Sequence, residues 1–387
     1  MSKEGISTSK VFFPNLDGLR TIAFLMVFLQ HGFSPAVEHL HIKGTLLDAF
    51  LIFLGNGGNG VSIFFVLSGF LITYLILSET EYKGKINVLY FYVRRTLRIW
   101  PLYYAVIIFA FILYPFLKQV FGIETNLGSN PWYYFVFLSN FDVINIEKHC
   151  PGMDAMSGNI TWSVAIEEQF YLVWPLLFYM VPKRFYQWIF ISVIALSMVF
   201  RYYYIDDVAY LYFHSLSVCG DLAVGGLCAY YALYSKSFRA QLEQLPRWVI
   251  LLIYLIGIYW LTHGISIFQF YYANVFARLI STLFFAFVIL EQNFCTHSFY
   301  KFSRFKWLTF WGKYTYGLYL LHPIALTLID IICRLMHIPY HATFLSEFIG
   351  GITGLGISLG ISYLSYEYYE SKFLKLKKKF SFVKSAH

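Results

Sequence analysis

Charge is what this sequence has least of. Only 13% of its 387 residues are Asp, Glu, Lys or Arg, against roughly 25% in an ordinary soluble domain. The 29 Lys and Arg and 21 Asp and Glu are too few to coat a soluble fold of this length. Cysteine is sparse too. Cys150, Cys219, Cys228, Cys295 and Cys333 stand singly without CxxC spacing, which argues against a disulfide framework and a structural metal. No internal repeat points to an inverted-repeat transporter. A cleavable leader is not expected either: Asp17 and Arg20 precede the apolar run Ile22 to Leu29, and no A-x-A site follows. That run reads as a retained first helix.

What is present is apolar and aromatic. Hydrophobic residues make up 58% of the chain and aromatics 21%, and the mean hydropathy is +0.59. This composition excludes a soluble enzyme, a disordered protein and a nucleic-acid-binding domain, despite the net charge of +8. The expectation is one all-α, polytopic membrane domain over 1–387, with a membrane core of about 16–373 and a basic tail, 374–387.

Apolar stretches of spanning length fall near 17–36, 59–79, 99–117, 160–181, 187–204, 210–234, 248–264, 272–291, 311–333 and 343–366. The stretch Pro131 to Phe141 is too short to cross as a helix and reads as interfacial or re-entrant. With about ten spans and both termini cytoplasmic, 22 of the 29 Lys and Arg fall on the inner side, as the positive-inside rule requires. Counting 131–141 as a span would invert every later loop and put the Lys-rich tail outside. The tail KFLKLKKKFSFVK (372–384) then lies beside the membrane, where anionic lipid is a better partner than nucleic acid.

Ionisable residues inside spans cost about 2.5–3.5 kcal/mol each on insertion scales, so each needs a reason. Arg20 and His31 share the first helix. Eleven residues at 100° put them on one face, about 16 Å apart along the axis. Arg20 is thereby placed at the inner interface and His31 in the outer half. In the second helix, Gly60, Ser68 and Gly69 suit close helix approach, and Ser68 could alternatively donate to a ligand. Arg94, Arg95 and Arg98 precede Pro101 at the inner end of the third helix. Arg95 and Arg98 share a face and suit phosphate oxygens, although inner-side anchoring alone would also explain them. Glu167 and Glu168 are adjacent in an apolar span and point about 100° apart, so their roles should differ. Glu167 and His31 are expected at similar depth near the outer surface, where a carboxylate could orient the ring as a general base. His322 reads as a hydrogen-bonded interhelical histidine. For Asp221 and Arg278 the sequence leaves the partners open.

Together these segments resemble the acyltransferase 3 family, integral-membrane O-acyltransferases of bacterial surface polysaccharides. The resemblance runs from Leu16 to about Phe373. The family's opening motif matches Leu16–Arg20 with His31, and its F-F-V-L-S-G-F-L-I motif matches Phe64 to Ile72. Arg95, Arg98 and Pro101 match R-x-x-R-I/L-x-P. Trp162 to Tyr171 match W-S-L-x-x-E-x-Q-F-Y with Val164 for Leu, which places the family acid on Glu167. Tyr316 to Pro323 match Y-G-x-Y-L-L-H-P. Where the family often ends in E-K-P-F, this chain has ESKF over 370–373. The likeness is to single-domain members without a fused SGNH esterase domain.

The resemblance implies an acyl-CoA donor, most commonly acetyl-CoA, on the cytoplasmic side of a bacterial inner membrane, and a glycan acceptor. Arg20, Arg95 and Arg98 would hold the donor phosphates, with Ser68 near the thioester. His31 with Glu167 would act as base or would carry the acyl group briefly. Asp17, Arg94, Trp162, Glu168 and His322 would support them, with no metal and no permanently bound cofactor. The competing class is a transporter or flippase for a glycan or lipid-linked intermediate. A third reading is an assembly partner with a dead site.

Overall fold

The structure, a computed structural model, describes residues 13–38, 51, 56–122, 128–149, 158–267, 272–338 and 342–380. Among these residues there is no strand; the chain is a helical membrane bundle. The helices that position the site are α1 (Pro14–Glu38), α2 (Gly57–Lys83), α3 (Val88–Val120), α4 (Ser139–His149), α5 (Trp162–Met180), α6 (Tyr186–Tyr203), α7 (Ser215–Tyr234), α8 (Arg247–Ile267), α9 (Ala273–Phe294), α10 (Thr315–Leu335), α11 (Phe344–Ser365) and α12 (Ser371–Lys377).

The turn from α2 into α3 shows how local sequence sets these boundaries. Gly84 ends α2 at φ 81° and its N–H bonds to Thr80 O at 2.8 Å, a left-handed cap that glycine adopts without strain. Three residues later the Asn87 side chain caps α3 by accepting from Tyr90 N at 3.0 Å. Glu79 ties the turn together, accepting from Asn87 N at 3.1 Å and from Arg94 Nη2 at 2.7 Å. The chain thus reverses direction within the few residues of the loop.

Among the described residues, seven helices are long and apolar enough to cross a membrane, or eight if the pair Lys236–Glu243 and Arg247–His263, bent by 91°, counts as one span. The ten spans expected from the sequence are therefore not all of this type. Of the ten, α1 and α5 fall outside that count. They have 25 and 19 residues, and they carry Asp17, Arg20 and His31, and Glu167 and Glu168. The polar residues of interest are what lower their hydropathy. Two expected spans are longer than foreseen: 99–117 lies within Val88–Val120, and 343–366 within Phe344–Phe380. The segment 131–141 breaks into a five-residue helix, Pro131–Phe135, and the start of α4, neither long enough to cross. Cys219, Cys228, Cys295 and Cys333 are free thiols; Cys150 lies outside the described residues.

In hydrocarbon, helices associate by close packing rather than by the hydrophobic effect. The tightest seam joins α2 to α7. A Cβ on Gly69 would sit 1.9 Å from Leu222 O, and one on Gly225 would sit 2.1 Å from Val66 O. On the other side of α2, a Cβ on Gly60 would meet Ala23 O of α1 at 2.5 Å. Backbone therefore touches backbone on both flanks of α2. Beyond α2, α1 packs on α10 and α11. The outer surface is apolar: Trp188 and Leu196 on α6 and Leu251 and Leu255 on α8 are exposed, as lipid-facing residues should be.

Candidate active site

Helices α1, α2, α3, α5, α10 and α12 enclose a cavity of about 190 Å³. Its polar lining includes Arg20 and Asp17 from α1, Ser68 from α2, Arg95 and Arg98 from α3, Glu167 and Tyr171 from α5, Tyr319 from α10 and Lys377 from α12. Arg20, Ser68, Arg95, Arg98 and Glu167, widely separated in the chain, share one wall-to-wall space.

Inside it, the Glu167 carboxylate is held by two hydroxyls. Ser68 Oγ donates to Oε1 at 2.7 Å and Tyr171 OH to Oε2 at 2.9 Å. These two hydroxyl oxygens are themselves 3.1 Å apart, so the three side chains form a closed triangle. Tyr171 lies four residues after Glu167 and therefore on the same helix face. The Arg95 guanidinium sits 5.6 Å from the Tyr171 ring centroid and 5.7 Å from that of Phe91, within cation–π reach.

The cations of this region differ in their partners. Arg20 Nη1 donates to Asp17 Oδ1 at 2.6 Å. Arg94 is spent on structure: it pairs with Glu79 and donates to Phe380 O at 2.8 Å, and it does not line the cavity. Arg95 and Arg98 have no carboxylate within ion-pair distance among the described residues, and the buried Arg95 Nε–H has no hydrogen-bond partner there. A buried guanidinium N–H without an acceptor is costly. An anionic ligand would supply the acceptor.

His31 is not beside Glu167. Its Nδ1 lies 2.8 Å from His322 Nε2, with the two rings 12° from parallel. His322 is fully buried against the edges of Phe24, Phe28 and Tyr319, and its Nδ1 is 3.1 Å from Leu318 O. A carbonyl only accepts, so His322 Nδ1 carries the proton and Nε2 is the acceptor. His31 Nδ1 must then be the donor. His31 Nε2 is left with its lone pair on an exposed side chain. The ring expected to be oriented by a carboxylate is oriented instead by a second histidine, whose tautomer is fixed by the main chain. Tyr319 links the two halves of the site: it lines the cavity, touches the His322 ring at 6.1 Å between centroids, and hydrogen-bonds Ser163 Oγ at 2.7 Å.

The other expected supporting residues lie apart. Trp162 is buried against Phe65, Tyr212 and Phe213. Glu168 points away from Glu167 and accepts from Trp100 Nε1 at 2.8 Å. Asp221 and Arg278, undecided from sequence, pair with each other at 2.7 Å. Among the described residues no cluster of His, Cys, Asp and Glu could hold a metal ion.

A family model described as an acyltransferase domain matches residues 13–367. The chain belongs to the acyltransferase 3 family. Curated relatives in this family include the O-acetyltransferase OatA of Staphylococcus aureus, 29% identical over 336 residues that cover 80% of this chain and 50% of the relative. The peptidoglycan O-acetyltransferase OatA of Listeria monocytogenes is 34% identical over 43% of this chain and 24% of its own length. A putative peptidoglycan O-acetyltransferase, YrhL of Bacillus subtilis, is 36% identical over 43% and 23%. The matched stretch is thus half or less of each relative. No solved structure matches the chain.

Within this acyltransferase 3 chain, the cavity residues Tyr171, Tyr319 and Lys377 were not assigned from sequence. Tyr171 was legible, because it stands one helical turn from Glu167. Lys377 was hidden in a tail whose other lysines are all alike in sequence.

Proposed function

We propose that the chain is a membrane O-acyltransferase that moves an acyl group, most commonly acetyl, from acyl-CoA to a hydroxyl of a glycan outside the cytoplasm. The relatives named for peptidoglycan favour a cell-wall glycan as acceptor and a bacterial inner membrane as location. The observation that carries the reading is the pairing of two sites: a cavity with Arg95 and Arg98 free of protein carboxylates, joined through Tyr319 to a histidine pair with one free ring nitrogen.

The donor's phosphates take the cationic end of the cavity, which the distribution of Lys and Arg puts on the cytoplasmic side. Its pantetheine arm extends toward His31, about 16 Å along α1 from Arg20. His31 Nε2 takes the proton of the acceptor hydroxyl as that oxygen attacks the thioester carbonyl. The positive charge on the ring is shared through the Nδ1–H to His322. The C–S bond breaks, the ester forms, and the sulfur leaves as the thiol with the proton that His31 held. Glu167, Ser68 and Tyr171 act as a positioning group in the cavity wall. They hold two hydroxyls in place where the thioester passes.

The test is thiol release by purified protein given acetyl-CoA and a peptidoglycan fragment. His31→Ala is expected to lower the rate about a thousandfold with expression and thermal stability intact, and His322→Ala to lower it by less. Wild-type rates in His31→Ala would overturn the reading. Glycan movement without thiol release would identify a transporter.

A further inference from the structure

The cavity has two unlike ends. One face of α2 borders it from Val61 through Phe64, Phe65, Ser68 and Leu71 to Leu75, at the three-and-four spacing of one helix stripe. That stripe is about 21 Å long at 1.5 Å per residue. Arg94 pairs with Glu79, one turn beyond Leu75, so Arg95 and Arg98, within a turn of Arg94, enter near the Leu75 end. Helix α1 runs antiparallel to α2, with Phe13 against Phe70 and Ala23 O facing Gly60. Arg20 bonds Asp17, one turn back along α1, and is thereby drawn toward the same cationic end.

The opposite end is apolar. Helix α5 runs parallel to α2: Phe65 packs on Trp162, Ser68 bonds Glu167 and Thr73 bonds Trp174. Ser163 and Val164 therefore sit level with Phe65, one turn past the Ser68–Glu167–Tyr171 triangle. Tyr319 closes this end from α10, its ring 5.7 Å from the Phe64 ring in an edge contact. The two hydroxyls here, Ser163 Oγ and Tyr319 OH, bond each other at 2.7 Å. Beyond Tyr319 lies the His322 ring, at 6.1 Å, and with it the proposed base, His31. Val61, Phe64, Phe65 and Val164 thus wall an end pocket with hydrocarbon. It lies where the far end of an arm held by its phosphates at Arg95 and Arg98 arrives.

We propose that this end pocket is the acyl subsite, and that Phe64 sets the length of acyl group the protein transfers. This rests on the donor reading above and names the acyl class: short, unbranched and uncharged, with acetyl as the best fit. A longer chain has to displace the Phe64 ring from its contact with Tyr319, and overfilling a packed site is unfavourable. An acyl group that ends in a carboxylate, such as succinyl, would bury its charge among hydrocarbon side chains. No cation is among the described residues that line this end.

The experiment compares kcat/KM for acetyl-, propionyl-, butyryl- and succinyl-CoA by thiol release. It uses the full chain in phosphatidylcholine nanodiscs with a peptidoglycan fragment as acceptor. Each preference is a ratio within one preparation, so a change in the folded fraction cancels. Wild type is expected to favour acetyl over butyryl about a hundredfold and to leave succinyl-CoA untouched. Phe64→Ala should cut that preference to about tenfold or less. Phe64→Leu, the milder variant if the first does not fold, should give a value between. An unchanged ratio in both variants, including an equal loss with every donor, would assign Phe64 to packing and overturn this proposal alone. So would a wild type that uses butyryl- or succinyl-CoA as readily as acetyl-CoA. No thiol release from any of the four by wild type would overturn the donor reading, and the acyl subsite with it.

Discussion

Two groups of charges lie within this bundle, and they differ in how completely the protein satisfies them. Between α6, α7 and α9, Arg278 donates through Nε and Nη2 to Asp221 Oδ2 at 3.0 and 2.7 Å, and Thr282 donates to Oδ1 at 2.8 Å. Nearby, Arg201 donates to the carbonyls of Leu211, Asn274 and Val275 and to Ser217 Oγ. Arg278, Thr282 and Arg201 thus each find acceptors within the protein. Around the cavity, Arg95 and Arg98 lack carboxylate partners among the described residues and Arg95 Nε lacks any acceptor. Charge satisfied by its own protein holds helices together, and charge left unsatisfied waits for a ligand. The first kind should be seen in stability and the second in affinity.

Four substitutions test that division. The largest effect is expected from Asp221→Ala, which removes the buried carboxylate and leaves the half-buried Arg278 without it. Breaking a buried pair costs about 3–5 kcal/mol, read as a lower unfolding midpoint in detergent, while the folded fraction keeps its donor affinity. Gly69→Ala comes next. Its methyl would be driven into Leu222 O, so a loss of about 3 kcal/mol is expected by the same measurement. Arg98→Gln should reverse the pattern: an unchanged midpoint, and donor KM raised about tenfold, or about 1.4 kcal/mol. An unfolding midpoint that falls with Arg98→Gln while KM stays put would erase the distinction between the two clusters. The smallest effect is expected for Glu168→Gln. The amide oxygen can still accept from Trp100, and the other carboxylate oxygen has no partner among the described residues, so midpoint and thiol-release rate should both stay within about 0.5 kcal/mol of wild type.

The sequence made the bundle legible because hydropathy measures burial in lipid directly. It also singled out Arg20, Ser68, Arg95, Arg98 and Glu167, since polar groups in so apolar a chain stand out. Matching helix depths failed at His31. Residue spacing gives height in the membrane but not which helices are neighbours, and α1 lies against α10 rather than presenting His31 to Glu167. His322 looked like an interhelical hydrogen-bonding histidine, and it is one; its partner was the missing fact. For Lys377 the difficulty was different. A one-dimensional run of lysines does not say which of them turns inward, and the fold of 371–380 against α3 decides that.

The histidine pair ends on the main-chain oxygen of Leu318, and a carbonyl neither releases a proton nor carries one onward. A proton taken up at His31 Nε2 therefore has no onward path through His322 and must leave from the nitrogen it entered. In a membrane that stores energy as a proton gradient, an intramembrane pair of imidazoles would otherwise be half of a conducting wire. Here the second ring is a blocked terminus, and the acid–base chemistry proposed for His31 can run on one side of the bilayer without discharging it through this route.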